Sequence, residues 1–128
     1  MSKEDLKRSE CPIACALDVI GDRWSLLILR DALYKGFVGY GEFQSSSECI
    51  STNILAARLK KLTEAGIFEK QRDAKHGLKY TYTLTDKGRA LEPTIMALGD
   101  WGMNWIEGTL DMREKIEQAR AAREQKAG

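Results

Sequence analysis

The 128-residue sequence contains one histidine, two prolines and three cysteines, and it has no long uninterrupted run of apolar residues. A helix that crosses a membrane needs roughly 18 or more such residues, so no membrane span is expected. The first ten residues are mostly charged or polar and lack the apolar stretch of a signal peptide, which predicts a cytoplasmic protein. An odd number of cysteines does not make a complete disulfide framework and fits a reducing compartment.

The single histidine and the scattered cysteines argue against an enzyme or a metal site. One histidine, His76, cannot be assigned to a Ser-His-Asp set with any particular serine, and no glycine-rich phosphate loop follows a strand. Together with His76, Cys11 and Cys15 supply too few metal ligands, in no familiar spacing. We therefore expect no catalytic residues, no metal ion and no cofactor.

The net charge of +1 conceals a local excess of positive charge. Between Arg58 and Arg89 there are nine basic and four acidic residues, a net charge of +5. From Asp100 to the end, six acidic and five basic residues give −1. A basic patch on a nearly neutral protein is typical of a partner of polyanions, although a solvated charged surface is the alternative explanation.

The spacing of apolar residues predicts a single, mainly helical domain. The first three helices are predicted over residues 12–20, 23–33 and 40–44. Asp22 is expected to cap the second helix, which is apolar on most sides and should be buried together with Trp24. The connector before the third helix is expected to hold a short strand at Phe37 and Val38.

A fourth helix is predicted from its N-cap Ser51 to Ala65, ended by Gly66. Three leucines share a narrow arc and should form its core face: Leu55, Leu59 and Leu62. Small or polar residues occupy the opposite side: Asn53, Ala56, Ala57 and Lys60. Asparagine pairs with adenine through two hydrogen bonds and alanine allows close approach, so this side is suited to reading DNA. An ordinary exposed helix face would also explain the alanines.

A basic β-hairpin is predicted directly after this helix, with strands over residues 67–72 and 79–84. Tyr80, Tyr82 and Leu84 alternate with threonines, which is a strand pattern. The tip carries Arg72, Lys75 and Lys79, which we expect to contact phosphates or the minor groove. A helix followed by a charged hairpin is the reading unit of a winged helix-turn-helix, with the hairpin as the wing.

The remainder of the sequence predicts helices suited to association between two copies. Thr85 is expected to cap the next helix, and Pro93 to interrupt it. An apolar stripe follows and is too apolar to face water: Leu91, Ile95, Leu98, Gly102 and Trp105. Trp101 and Trp105 are expected at a dimer interface or, alternatively, lining a ligand pocket. A charged amphipathic helix is predicted over residues 110–126.

Seven segments are each weakly informative but occur together in a specific order and spacing: Cys11–Pro12, residues 21–30, Ile50–Ser51, residues 58–62, Gly66–Ile67, residues 82–88 and residues 97–102. In this order they resemble the HxlR-type winged-helix regulators, relatives of the MarR group, over roughly residues 11 to 105 of this chain. The resemblance implies a mainly α-helical winged helix-turn-helix fold with a small β-hairpin wing. It also implies flanking N- and C-terminal helices that dimerise.

The resemblance implies a homodimeric bacterial transcription factor that binds double-stranded DNA, and two-fold symmetry predicts a pseudo-palindromic operator. The chain is expected to comprise a flexible tail (1–10), a DNA-binding core (22–85) and dimerisation helices (86–128). The DNA-contacting residues are expected to be Ser51, Thr52, Asn53, Ala56, Arg58, Lys60, Arg72, Lys75 and Lys79.

Some members of this family sense oxidants or electrophiles through the cysteine before the proline, which implies a redox-sensing role for Cys11. A helix N-terminus favours a thiolate, which fits the position of Cys11 beside Pro12. Cys49, just before the reading helix, is expected to be its partner across the dimer, whereas Cys15 is expected in the core. A semi-buried structural cysteine is the alternative reading of Cys11.

Other functions remain open at the level of sequence. One is a winged-helix module that binds protein instead of DNA. A second is a repressor that responds to a small-molecule effector without thiol sensing. A third is a small thiol-redox protein, which would turn over a disulfide or peroxide substrate.

Overall fold

The computed structural model describes residues 9–72, 79–114, 116–118 and 121 of the chain. Six helices lie in the described residues up to 105: α1 (Pro12–Ile20), α2 (Arg23–Tyr34), α3 (Tyr40–Gln44), α4 (Thr52–Glu64), α5 (Asp86–Arg89) and α6 (Glu92–Trp105). Two strands, β1 (Phe68–Arg72) and β2 (Tyr80–Leu84), form an antiparallel hairpin between α4 and α5. The fold is therefore the predicted one, mainly helical with a hairpin wing.

Side-chain caps determine where three of the helices begin, as predicted. The carboxylate of Asp22 accepts a hydrogen bond from the Ser25 amide at 2.9 Å at the start of α2. The hydroxyls of Ser51 and Thr85 cap α4 and α5 in the same way, at 3.3 and 3.2 Å from the amides they accept from. Each cap satisfies an amide that has no partner within its own helix.

The core forms where α2, α3, α4 and the base of the hairpin meet. α4 contributes the three leucines of its predicted core face, Leu55, Leu59 and Leu62. Phe43 of α3 is 1% exposed, and its ring packs edge-on against Phe37 at 6.1 Å and Phe68 at 5.9 Å. This arrangement is favourable for aromatic rings and holds α3 and β1 together. Trp24 was expected in the core but is only partly buried, and it packs against the edge of the core.

The hairpin register pairs Phe68 with Leu84 at its base. The predicted strand at Phe37 and Val38 is wrong, although the Val38 carbonyl accepts a hydrogen bond from the Tyr82 amide at 2.7 Å. A single bridge follows at Gly39, and no ladder develops because the chain turns directly into α3 at the next residue. The segment before α3 thus lies along the edge of the hairpin and anchors it.

The joint between α1 and α2 is unusually tight. The Gly21 amide donates to the Leu17 carbonyl at 2.7 Å, and a Cβ at Gly21 would lie 2.3 Å from that same oxygen. No larger residue fits there unless the backbone shifts, because real Cβ atoms do not approach an oxygen so closely. A single residue, Asp22, then separates this turn from the first residue of α2.

α1 packs on the core through Val19 and Ile20 at its C-terminal end. Two other apolar residues of this helix are exposed, Ile13 at 70% and Leu17 at 57%. The prediction that Cys15 lies in the core is wrong because this part of α1 does not reach the core. Cys15 is half-buried, and its thiol donates to the Ser9 carbonyl at 3.2 Å.

Pro93 lies in the first turn of α6, so the predicted interruption separates α5 from α6. The apolar stripe that follows was predicted to face a partner as one surface, and this is wrong for Leu91 and Ile95, which pack on the core. The rest of α6 has an exposed apolar face: Leu98 (52%), Trp101 (59%) and Trp105 (75%). We call these three residues the α6 face.

The terminal helix begins later than predicted. Residues 110–112 are not helical, while residues 113, 114, 116–118 and 121 are. The Asp111 carboxylate accepts a hydrogen bond at 3.0 Å from the amide of Arg113, the first helical residue. The remainder of the predicted helix, and residues 1–8 of the predicted tail, lie outside the described residues. In the part of the chain that is described, no helix combines the length and apolarity needed to cross a bilayer.

Candidate nucleic-acid interface

α4 presents the small, polar surface that the sequence predicted. Residues on the side opposite its leucines are all exposed: Asn53, Ala56, Ala57 and Lys60. Ser51 and Thr52 are exposed at its N-terminal end, where backbone amides and the helix dipole favour an anion. The face is shallow enough for close approach to base edges and carries one asparagine able to read them.

The N-terminal end of α4 is held by α3. The hydroxyl of Tyr40 donates to the Thr52 carbonyl at 3.0 Å. Glu42 stabilises the N-terminal end of α3, because its carboxylate accepts hydrogen bonds from the Gly39 and Val38 amides at 3.0 and 3.1 Å. These backbone hydrogen bonds lower the pKa of Glu42, that from Gly39 most. The exposed end of α4 is therefore fixed in place.

Arg58 lies on the flank of α4 and is ion-paired. Its Nε donates to the Asp22 carboxylate at 2.8 Å, and both side chains are about a third exposed or less. Burial alone would raise the pKa of Asp22, but hydrogen bonds from Ser25 and from Arg58 lower it to about 2. The sequence predicted Asp22 only as a helix cap, and no local pattern links it to a residue 36 positions later.

The serine-rich turn before α4 is anchored to α2. Arg30 donates to both oxygens of Glu48, at 2.7 and 2.8 Å, and to the Ser46 hydroxyl at 3.0 Å. Hydrogen bonding from Arg30 is the largest cause that lowers the pKa of Glu48 to about 2. Two parallel hydrogen bonds of this kind fix orientation as well as distance. Sequence reasoning missed Arg30 and Glu48, because their pairing spans the whole of α3.

This turn ends at Cys49, whose φ of +59° is in the left-handed region. That conformation is disfavoured for residues with a Cβ. Cys49 is exposed, and the buried Ile50 separates it from the N-cap of α4. Cys11 is also exposed and occupies the N-cap position of α1, as predicted, with no side-chain capping bond.

Two of the predicted basic residues of the wing, Arg72 and Lys79, lie in the described part of the hairpin. Arg72 pairs with Tyr80 in the register, and both Arg72 and Lys79 are exposed. Lys75 and His76 lie outside the described residues. Lys70 has its ammonium 4.3 Å from the centre of the Tyr80 ring, a favourable cation–π contact. Tyr80 therefore supports a basic side chain that sequence reasoning did not single out.

A cavity of about 340 Å³ lies between α6 and the terminal helix. Its lining is Pro93, Met96, Ala97, Asp100, Met103, Arg113, Ile116 and Glu117. Trp101 and Trp105 are not part of this lining. Within the described residues, no three His, Cys, Asp or Glu side chains are grouped as metal ligands would be.

Comparisons with known proteins agree with this architecture. The sequence profile of the HxlR-like helix-turn-helix family matches residues 19–109. The helix-turn-helix transcriptional regulator YdeP of Bacillus subtilis (strain 168) is 33% identical over 112 residues, which cover 88% of this chain and 84% of YdeP.

Solved structures are similar over most of the chain. The crystal structure of the candidate transcription factor PA1607 has a TM-score of 0.75 at 43% identity, covering 85% of this chain and 76% of PA1607. The redox regulator HypR in its oxidized form has a TM-score of 0.67 at 29% identity, covering 79% of this chain and 99% of HypR. The chain therefore belongs to the HxlR-like helix-turn-helix family and is a transcriptional regulator of the helix-turn-helix type.

Proposed function

We propose that two copies of this protein bind a pseudo-palindromic operator, each placing α4 in the major groove of one half-site. One observation carries the proposal: α4 buries its leucines on one face and exposes Asn53, Ala56 and Lys60 on the other. A helix of this kind fits the major groove, where each base pair presents a distinct set of donors and acceptors.

The wing would then lie against the flanking DNA backbone. Arg72 and Lys79 are exposed near the described end of the hairpin, and Lys75 follows in the sequence between them. Ser51 and Thr52 lie where the N-terminus of α4 meets a phosphate. Phosphate contacts position the protein and supply affinity that depends on salt, while base contacts supply specificity.

The two copies would associate through the exposed apolar faces of α1 and α6. Ile13 and Leu17 lie one turn apart on α1, and the α6 face has the same helical spacing. Side chains of this size are rarely left open in such groups unless another surface covers them. A two-fold dimer places the reading helices about one or two turns of duplex apart, roughly 10 to 20 base pairs.

Replacing Asn53 with alanine is expected to relax specificity at one operator position. The cost should be about 1–3 kcal/mol against the preferred base pair, because a paired donor and acceptor are lost. The measurement is a titration of the operator, of operators changed at single positions, and of an unrelated duplex, all at one salt concentration.

Lys79→Gln is the matched control for Asn53→Ala. A residue that contacts phosphate should weaken operator and unrelated duplex alike and flatten the salt dependence by about one unit. If Asn53→Ala weakens all duplexes equally, as this control does, α4 does not read bases through Asn53. If neither variant affects any duplex, the protein-binding alternative is favoured.

We further propose that oxidation of Cys11 releases the operator. Cys11 is exposed at the N-cap of α1, and the redox regulator HypR has a similar fold. Attack of the Cys11 thiolate on hydrogen peroxide gives a sulfenic acid and hydroxide, and condensation with a second thiol releases water. Cys49 is our proposed second thiol, across the dimer.

Wild-type protein is expected to leave the operator at a peroxide dose that Cys11→Ser withstands. The reason is that serine preserves the size of the side chain but removes the oxidisable sulfur. Operator binding is followed during the titration, and Cys15→Ser serves as the control that should respond like wild type. If Cys11→Ser leaves the operator at the same peroxide dose as wild type, Cys11 is not the sensor and its role is structural.

If Cys11 has only a structural role, the cavity beside α6 favours the second candidate, a regulator that responds to a small molecule. Its volume is within the roughly 300–1,000 Å³ typical of small-molecule sites. Substituting Met103, which lines the cavity, would then alter the effector response without altering the response to peroxide. Both candidates act by binding, and we propose no enzymatic activity for either.

A further inference from the structure

The carboxylate of Asp22 is held rigidly on α2. One oxygen, Oδ1, accepts from the Ser25 amide at 2.9 Å, and the other, Oδ2, accepts from the Ser25 hydroxyl at 2.6 Å. Ser25 itself is completely buried. Because both oxygens of Asp22 are held by the buried Ser25, the carboxylate is already oriented to accept a hydrogen bond from a donor outside α2.

The donor is Arg58, which reaches Asp22 Oδ1 through Nε at 2.8 Å. No described residue accepts a hydrogen bond from the two terminal amino groups of Arg58, which is 32% exposed. A guanidinium held through Nε keeps those two groups available as a fork, the geometry that matches a phosphate or the edge of a guanine. The contact therefore orients the side chain without occupying the part that recognises DNA.

An acidic residue at this place has two effects on DNA binding. Its negative charge weakens the attraction of any DNA sequence to Arg58, because that attraction is electrostatic. The same contact reduces the freedom that Arg58 must lose when it settles in one geometry on a specific site. The balance favours specific over non-specific complexes.

We propose that Asp22 is a positioning residue for operator recognition, which orients Arg58 on the reading helix and raises the preference for operator over other DNA. This inference rests on the proposed function, since it requires Arg58 to contact the operator. A merely structural tie between α2 and α4 would change stability, but it would not change the ratio of the two affinities.

The test uses the full-length protein and two substitutions at one position. Asp22→Ser keeps a good N-cap for α2 but is too short to reach Arg58. Asp22→Asn keeps the acceptor oxygen and the cap while removing the charge, so it is the conservative control. Affinity for the operator and for an unrelated duplex is measured at several salt concentrations, together with the free energy of unfolding.

Asp22→Ser is expected to lower the ratio of operator to unrelated-duplex affinity by roughly tenfold, the scale of one well-placed charge-assisted hydrogen bond. Asp22→Asn should keep most of that ratio. In an Arg58→Ala background, Asp22→Ser should have no further effect on the ratio, because its effect passes through Arg58.

An unchanged ratio in Asp22→Ser, or an equal loss in the Arg58→Ala background, would overturn the proposal. Asn53→Ala separates this failure from that of the proposed function. If Arg58→Ala leaves the operator affinity unchanged while Asn53→Ala lowers it, the positioning role is wrong and the function stands. If both variants leave it unchanged, the proposed function fails, and the inference built on it fails too.

Discussion

Replacing Leu98 and Trp105 together with glutamate is expected to produce a monomer that no longer binds the operator at concentrations that saturate wild type. These residues are 52% and 75% exposed on the α6 face, and burying apolar area stabilises association by about 25 cal/mol per Å². Loss of the second half-site removes an avidity gain of about 10²–10⁴. Sedimentation equilibrium and operator titration on the same samples measure both effects.

Asn104→Glu is the matched control, because Asn104 is exposed on another side of α6. It adds one negative charge to the same helix, against two in the double variant, and is expected to leave mass and operator affinity unchanged. A Leu98→Glu, Trp105→Glu protein that still has the mass of a dimer would contradict the proposed interface. A wild-type protein that is monomeric at micromolar concentration would contradict the dimer itself.

Truncation of Phe43 to alanine is expected to cost about 3–5 kcal/mol of stability, the usual range for a large buried aromatic side chain. Phe43 is 1% exposed and contacts the Phe37 and Phe68 rings, so the cavity left behind would be lined by side chains from the connector and β1. Urea unfolding at one fixed protein concentration measures the change, since a dimer's stability depends on concentration.

The control for Phe43→Ala is Phe37→Ala, in which a ring of the same size is lost from a half-buried position. The loss of stability in Phe37→Ala should be clearly smaller, because its ring buries less apolar area than that of Phe43. Equal losses at the two positions would mean that Phe43 is not the centre of this aromatic contact. A loss below about 1 kcal/mol at Phe43 would place it outside the cooperative core.

The helix caps and the leucine face could be predicted because each depends on residues close in sequence. Asp22, Ser51 and Thr85 cap helices by accepting hydrogen bonds from amides only three residues away. Such short patterns can be recognised in the sequence. The three leucines of α4 recur at the helical period, which also determines what the opposite face carries. Most of the candidate reading surface follows from these two local facts.

The features that sequence reasoning missed or misplaced depend on distant contacts. Arg58 meets Asp22 across 36 positions and Arg30 meets Glu48 across 18, and no periodicity encodes either pairing. The helical spacing of Ile95 suits a stripe that faces a partner as well as one that faces the core. The packing of α6 on α2 turns Ile95 inward, whereas α1 packs on the core at its C-terminal end and leaves Cys15 half-buried.

The tight joint at Gly21 has a consequence for the operator as well as for the protein. Because the turn at Gly21 joins α1 tightly to α2, α1 has little freedom to move relative to the DNA-binding core. A dimer held by α1 would therefore keep its two reading helices at a nearly fixed separation. Such a dimer has little ability to adapt to half-sites that are set closer together or further apart. Operators that have gained or lost a few central base pairs would then be rejected even when both half-sites are intact, so the spacer length becomes part of the recognised sequence.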